Sequence, residues 1–349
     1  MHILIVKRDK IGDLLLTTPM LRLLRTALPA ARIHVLANDY NHWVLAGNPD
    51  VDAVHVYRRV KNGRRLSPGA AWDQARVFLG LRATRFDWVL VGNGEESRRA
   101  IRRALWLKGR RTVAYCRAAA DYPGLSDALP VDHPAHEARQ LAGLLGPLGI
   151  AVPELLAALP EPRYLLPDPA RAFARAWLAE RGLAPGGYLT LGLGARRAKK
   201  QPTVEQITRW TRHAHETWGL ATVFMWTPGG SDNPLYPGDD AVAQPVLDAG
   251  LPWLHPFRGP LQPALGLIWH GAASLFPDSG LMHFAAASPG GVVGLFAETA
   301  VSPPPWRWGP IGPRASYLEA PQAVAELSDA AVLDALGARV AAFAAATPG

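Results

Sequence analysis

Apolar residues in the first half of the chain fall into short unbroken blocks, separated by longer stretches in which they recur every three or four positions. The blocks Ile3–Val6, Ile33–Ala37, Ala53–Val56, Trp88–Gly92 and Thr112–Tyr115 read as strands covered on both faces. Helical spacing fills Leu14–Ala27, Trp72–Ala83 and Arg98–Lys108 between them. Pro19 lies inside the first of these, so that helix either kinks there or starts afresh with Thr18 as cap. The pattern then restarts. Tyr188–Leu193, Thr222–Met225, Ser274–Phe276 and Val292–Phe296 predict strands, with helices at Val204–Thr217, Pro263–Trp269 and Gly280–Ala287. Such alternation predicts an α/β protein of two doubly wound parallel sheets.

Pro160, Pro162, Pro167 and Pro169 crowd the stretch Leu159–Pro169. Proline at that density prevents a helix and stiffens the backbone, which marks a linker. The expected domains are therefore residues 1–165 and 166–349. An Ala-rich helical stretch, Asp329–Ala345, ends the pattern and is able to pack on either domain. A length of 349 residues suits two cores better than one.

Charge divides the chain more sharply than hydropathy does. Residues 1–165 hold 24 Lys and Arg against 15 Asp and Glu, a net +9, whereas residues 166–349 hold 13 against 14. A basic half suits an anionic partner, whether nucleic acid, phospholipid or a phosphorylated substrate; a solvated Arg-rich face gives the same count. The lone cysteine, Cys116, rules out an internal disulfide framework and points to the cytoplasm. The apolar run Ile3–Val6 is too short for a signal peptide, and no run reaches the roughly 18 residues of a membrane span.

Three loops carry the candidate chemistry. Lys7-Arg8-Asp9-Lys10-Ile11-Gly12-Asp13 follows the first strand, where open α/β sheets bind ligands. Gly12 allows a tight turn, and Asp13 serves as helix cap or as general base. No Gly-x-Gly-x-x-Gly stands there, which argues against a dinucleotide-dependent dehydrogenase. The second loop, Gly192 to Pro202, joins glycines, Gly194 among them, to the cations Arg196, Arg197, Lys199 and Lys200. Either a polyphosphate site or a solvated basic loop has that composition. The third runs Phe276-Pro277-Asp278-Ser279-Gly280-Leu281-Met282-His283. A strand end, a small polar turn and a helix start there suit an anion at Ser279 and Gly280, with Asp278 accepting from sugar hydroxyls and His283 one turn on. The alternative is a capped helix with a core histidine.

In order and spacing these loops resemble those of the ADP-heptose:lipopolysaccharide heptosyltransferases, glycosyltransferase family nine. Ile3–Pro19 is similar to the family's opening strand, Gly-Asp loop and Thr-x-Pro helix. Phe86–Leu90 resembles its Phe-Asp-aliphatic strand, His136-Glu137 its helix before the linker, and Gly194–Pro202 its Gly-Ala…Lys-x-x-Pro loop. Asp278–Ala287 and Trp308-Gly309-Pro310 resemble its Asp-Ser/Thr-Gly-x-x-His signature and closing Gly-Pro. The resemblance implies a GT-B fold, two Rossmann-like domains facing a cleft, with acceptor bound by the first and nucleotide-sugar by the second. It implies inverting transfer with no metal and no cofactor, the nucleotide-sugar being a substrate. Asp13 becomes the base, Lys199 and Lys200 face the donor phosphates, and Gly194, Asp278, Ser279, Gly280 and His283 hold diphosphate and sugar. An anionic lipopolysaccharide-core acceptor at the inner membrane face, rather than nucleic acid, is what the resemblance implies for the basic half. Lys7, Lys10, Arg58, Lys61, Arg98 and Arg102 are its candidate contacts, with Arg59, Arg64, Arg65, Arg99 and Arg103 beside them.

Three positions depart from the family pattern. Asp232 stands in Trp226–Asp232 where a Gly-rich loop carries an acidic donor contact, Gln262 replaces a frequent glutamate, and Ala297-Glu298-Thr299 replaces Gly-x-Thr. Two other readings compete: a non-catalytic module of this fold that binds an anionic glycolipid or nucleic acid, and a nucleotide-sugar epimerase that needs no acceptor.

Overall fold

A computed structural model describes residues 1–59, 61–62, 65–66, 68–131, 135–194, 197–232, 238–300 and 302–347, with the backbone alone for 61–62 and 65–66. The chain divides into two units, Met1–Leu165 and Leu166–Gly349.

The first unit is built on β1 (His2–Val6), β2 (Arg32–Asn38), β3 (Ala53–Tyr57), β6 (Trp88–Val91), β7 (Arg111–Tyr115) and β8 (Asp127–Leu129). They form one parallel sheet in the order β3-β2-β1-β6-β7-β8. A separate antiparallel pair, β4 (Lys61–Asn62) and β5 (Arg65–Leu66), lies between β3 and β6 in sequence. The aliphatic run Ile3–Val6 is wholly buried, as a central strand covered on both faces must be.

The helices of this unit are α1 (Ile11–Leu15), α2 (Thr18–Ala27), α3 (Pro68–Ala83), α4 (Arg98–Trp106) and α5 (Glu137–Gly143). The single helix expected over Leu14–Ala27 is thus two. The break falls at Leu16–Thr17, and Thr17, not Thr18, takes the N-cap position of α2, which puts Pro19 in the first turn where its missing N–H costs nothing. Thr18 Oγ1 instead donates to Leu15 O and accepts from Arg163 N.

The second unit repeats the plan. Its strands are β9 (Tyr188–Gly192), β10 (Ala221–Met225), β11 (Leu254–Phe257), β12 (Ala273–Pro277), β13 (Val292–Phe296) and β14 (Ala315–Glu319), parallel in the order β11-β10-β9-β12-β13-β14. Helices α6 (Asp168–Ala179), α7 (Val204–Trp218), α8 (Asp240–Asp248), α9 (Leu261–His270), α10 (Gly280–Ala286), α11 (Pro305–Trp308) and α12 (Asp329–Ala346) complete it. A Thr203–Gln206 capping box opens α7 and Gly219, at positive φ, closes it. The last helix packs on the second unit: Val332 and Leu336 join the core around Trp210, whose indole donates to Asp329 at 2.6 Å. Pro169, expected in the linker, lies in the first turn of α6, so the irregular stretch ends at Pro167.

Both sheets therefore carry the strand order of a dinucleotide-binding fold, and the order in which strands are added reverses beside β1 in the first and beside β9 in the second. Ligands of such sheets bind outside the carboxyl ends of the strands at that reversal. The three loops singled out in the sequence follow β1, β9 and β12, so all of them lie at a reversal.

Candidate functional site

In the first unit the loop after β1 is held from several sides. Lys7, although a lysine in a loop, is 1% exposed; its Nζ lies 3.1 Å from Asp9 Oδ2 and 3.7 Å from Glu137 Oε1. Burial pulls against the charged ammonium, but the carboxylates of Asp9, Glu137 and Asp13 outweigh it and leave the Lys7 pKa above its ordinary value. Asn93, after β6, donates to Asp9 Oδ2 at 2.9 Å, and Gly94 N donates to Glu137 Oε1 at 3.1 Å. From the β2 side, Asn38 and Asn41 donate to the carbonyls of Arg8 and Asp9. The outcome is a rigid turn that delivers Asp13 at the third position of α1.

Asp13 Oδ2 accepts from Lys10 N at 3.0 Å, reaching back from the third position of the helix to its N-cap backbone. The carboxylate is thus a helix cap in the resting protein, yet only partly buried, so its other face is open to a ligand. Capping and acid–base work are compatible, since a cap bond fixes the rotamer of a base without consuming its second oxygen.

In the second unit Lys200 Nζ lies 2.6 Å from Asp278 Oδ2, with side chains 13% and 12% exposed. Lys199, half exposed, pairs with Glu298 at 2.8 Å. The two lysines are therefore unequal: Lys200 is bound into the site beside Asp278, and Lys199 braces the loop after β13. Ser279 occupies the N-cap position of α10 but does not cap it; its Oγ is buried without a hydrogen-bond partner among the described residues. Gly194, at φ +31°, packs on that hydroxyl, and a Cβ there would stand 3.1 Å from Ser279 Oγ. His283 is buried one turn into α10, whose first residue is Gly280. A buried hydroxyl awaiting a partner, a largely buried ammonium and a close backbone approach suit an oxyanion with hydroxyl neighbours. Ala195 and Arg196 lie outside the described residues.

Asp232 is exposed in a turn. The order of that loop comes from a different acid, Asp240, which accepts from Trp226 Nε1, Gly229 N and Arg258. The Arg258 side-chain bond, followed by that from Trp226, holds its carboxyl well below the usual range. Neighbouring Asp239, buried, accepts from Gln201 Nε2 at 3.1 Å, and burial pushes its pKa up. Neither acid stands out in the sequence.

The candidate acceptor contacts separate. Lys10, Arg58, Arg98 and Arg102 are exposed, and Arg98 pairs with Glu96 at 3.4 Å. Lys7 is sealed in beneath Asp9 and Glu137, which leaves its ammonium no surface to offer a ligand; its part is to hold the loop. The side chain of Lys61 lies outside the described residues. Among the described residues no group of three or more His, Cys, Asp and Glu side chains is placed to hold a metal ion.

Solved structures match this arrangement along its whole length. A family 9 glycosyltransferase from Veillonella parvula DSM 2008 superposes with a TM-score of 0.80 at 20% identity, covering 98% of this chain and 97% of its own. The E. coli ADP-heptose lipopolysaccharide heptosyltransferase II gives 0.68 at 19% identity over 98% and 99%. The E. coli heptosyltransferase WaaC with ADP gives 0.74 at 17% over 97% and 100%. The chain has the GT-B fold. No protein-family model matches it, and no curated protein matches it in sequence. The GT-B frame was legible because its loops keep their order; Glu137 and Asn93, which fix the first loop, are signalled only by the buried helix start at His136-Glu137.

Proposed function

We propose that this protein is an inverting glycosyltransferase that moves a heptose, or a related sugar, from a nucleoside diphosphate donor onto an anionic acceptor. ADP-heptose and a lipopolysaccharide core at the cytoplasmic membrane face are the favoured pair. The first unit takes the acceptor and the second the donor. The observation that carries this reading is the nearly buried Lys200–Asp278 pair, with Gly194 and the Ser279 hydroxyl, unpartnered among the described residues, at the point where the strand order of the second sheet reverses.

Asp13 accepts the proton of the acceptor hydroxyl as that oxygen bonds to the anomeric carbon. The bond from the anomeric carbon to the diphosphate oxygen breaks on the opposite side, and the electron pair leaves with the nucleoside diphosphate. Lys200 and the Ser279 hydroxyl meet the charge that develops there. Asp278, held by Lys200, accepts from sugar hydroxyls.

The fold neighbours support the reading: two are heptosyltransferases, and one was solved with ADP. The exposed arginines Arg58, Arg98 and Arg102 favour the anionic acceptor. Calorimetric titration with ADP, UDP and GDP, then turnover of ADP-heptose with a lipopolysaccharide-core acceptor, tests it. Selective ADP binding with sugar transfer is the expected result. Binding of no nucleotide would leave a non-catalytic glycolipid-binding module; turnover of donor without acceptor would leave an epimerase.

A further inference from the structure

The long helix α3 and the arginine-rich α4 of the first unit leave a cavity of about 360 Å³ between them, lined by Ala71, Gln74, Ala75, Phe78, Leu79, Arg103 and Trp106. Around it stand large apolar side chains that soluble surfaces usually withdraw: Trp72 is 76% exposed, Leu79 59% and Trp106 45%. They are not scattered. Trp72, Arg76 and Leu79 follow one another at helical spacing on α3, and Arg102 and Trp106 do so on α4.

Charge on these two helices is predominantly positive. The two helices hold six arginines, Arg76, Arg82, Arg98, Arg99, Arg102 and Arg103, against the single acid Asp73. Arg82 lies over the Trp106 ring at 4.8 Å, which joins the basic and aromatic parts. Arg103 is the most telling member. Among the described residues its Nη1, buried in the cavity wall, has no hydrogen-bond partner and its guanidinium no ion-paired carboxylate; burial first, then Arg8 and Arg99, depress its pKa while Tyr57 opposes them.

We propose that the α3–α4 face is a membrane-docking surface that takes the anionic headgroups of a phospholipid bilayer. Trp72, Leu79 and Trp106 enter the interfacial layer, the flanking arginines meet lipid phosphates, and one headgroup phosphate reaches the cavity and pairs with Arg103. Tryptophan suits this position because its ring is amphipathic, and each arginine near an anionic leaflet adds attraction that salt weakens. The proposal rests on the transferase reading in expecting a membrane-borne acceptor, and it shares Arg98 and Arg102 with the candidate acceptor contacts; the lipid contact uses no residue of the loops after β1, β9 and β12.

The test is co-sedimentation of the full chain with vesicles of phosphatidylcholine alone or with about one third phosphatidylglycerol. The expected result is binding to the mixed vesicles only, reduced about tenfold by Trp72→Gln with Leu79→Gln and reduced also by Arg103→Gln or high salt. Affinity for ADP, measured on the same preparations, stays unchanged and certifies the fold. Equal binding to both vesicle types, no binding to either, or full binding by the Trp72→Gln, Leu79→Gln variant overturns the proposal. Thermal stabilisation by soluble glycerol 3-phosphate without vesicle binding does so too, because it would make the cavity a small-anion site. Failure to bind ADP with vesicle binding intact would overturn the transferase reading alone.

Discussion

Lys200 Nζ and Asp278 Oδ2, 78 positions apart in sequence, meet at 2.6 Å in a nearly buried pair. Truncating one partner of such a pair strands the other in a poorly solvated place. Lys200→Ala is therefore expected to lower stability by about 1–3 kcal/mol, scaled down from a fully buried pair because both ends touch solvent. It should also weaken ADP binding about tenfold or more. Lys199→Ala, at an exposed pair with Glu298, should cost under about 1 kcal/mol and change ADP affinity less. Thermal melts and calorimetry on both variants decide; equal effects would mean that the ranking of the two lysines is wrong.

Asp13 holds the start of α1 through Lys10 N and is the proposed base. Asp13→Asn keeps much of the cap, so the melting temperature should fall only as far as about 0.5–1 kcal/mol allows. Turnover should fall about 10²–10⁴-fold with ADP affinity retained. Wild-type turnover in Asp13→Asn would remove it from the chemistry.

Gly194 combines φ +31° with a Cβ position 3.1 Å from Ser279 Oγ. Gly194→Ala must shift either the loop or the serine, and both lie in the proposed diphosphate site. ADP affinity is expected to drop about five- to tenfold, with about 1 kcal/mol lost in stability. An unaltered dissociation constant would place the nucleotide elsewhere.

Lys7 is counterion to Asp9 and Glu137 together. Lys7→Met leaves two carboxylates facing each other without a cation, and about 3 kcal/mol of stability should go with it. Adding Glu137→Gln to that variant should recover part of the loss, which denaturant melts will report as a non-additive pair.

His34 stacks on His55 at 5.2 Å between centroids, with its Nδ1 2.9 Å from His55 Nε2. Burial, then His55 and His2, pulls its pKa down to about 4 from 6.5. The unfolded chain therefore binds more protons between those values, so stability is full above about pH 6.5 and declines as pH falls towards 4. The loss is about 1–2 kcal/mol once solvent screening at the half-buried ring is allowed for. His34→Leu should flatten this limb of the stability curve; an unchanged limb would assign it to other groups.

The sequence disclosed what buried pattern can disclose. Ile3–Val6 and Trp88–Val91 are uniform apolar blocks because each sits inside a sheet. Of the edge strands, β3 was visible as Ala53–Val56, whereas β8, β11 and β14 gave no such block. β11 contains His255 and Pro256, tolerable only where one side of a strand is unpaired, and β14 is half exposed along its length. Loop positions were legible because glycine, aspartate and proline punctuate them. Pairings were not: nothing local to Lys200 distinguishes it from Lys199, and nothing local to Lys7 says that Asp9 and Glu137 will enclose it. At Asp13 the structure shows the cap, through Lys10 N, and the base role is the proposal that turnover of Asp13→Asn tests.

The matched strand orders of the two sheets bear on how this protein can change over time. Its reactive loops hang from the innermost strands, whose every neighbour is fixed, whereas the rims end in short or irregular strands such as β8 and β11. Mutational drift can accumulate at the rims without disturbing the frame that carries Asp13 and Asp278.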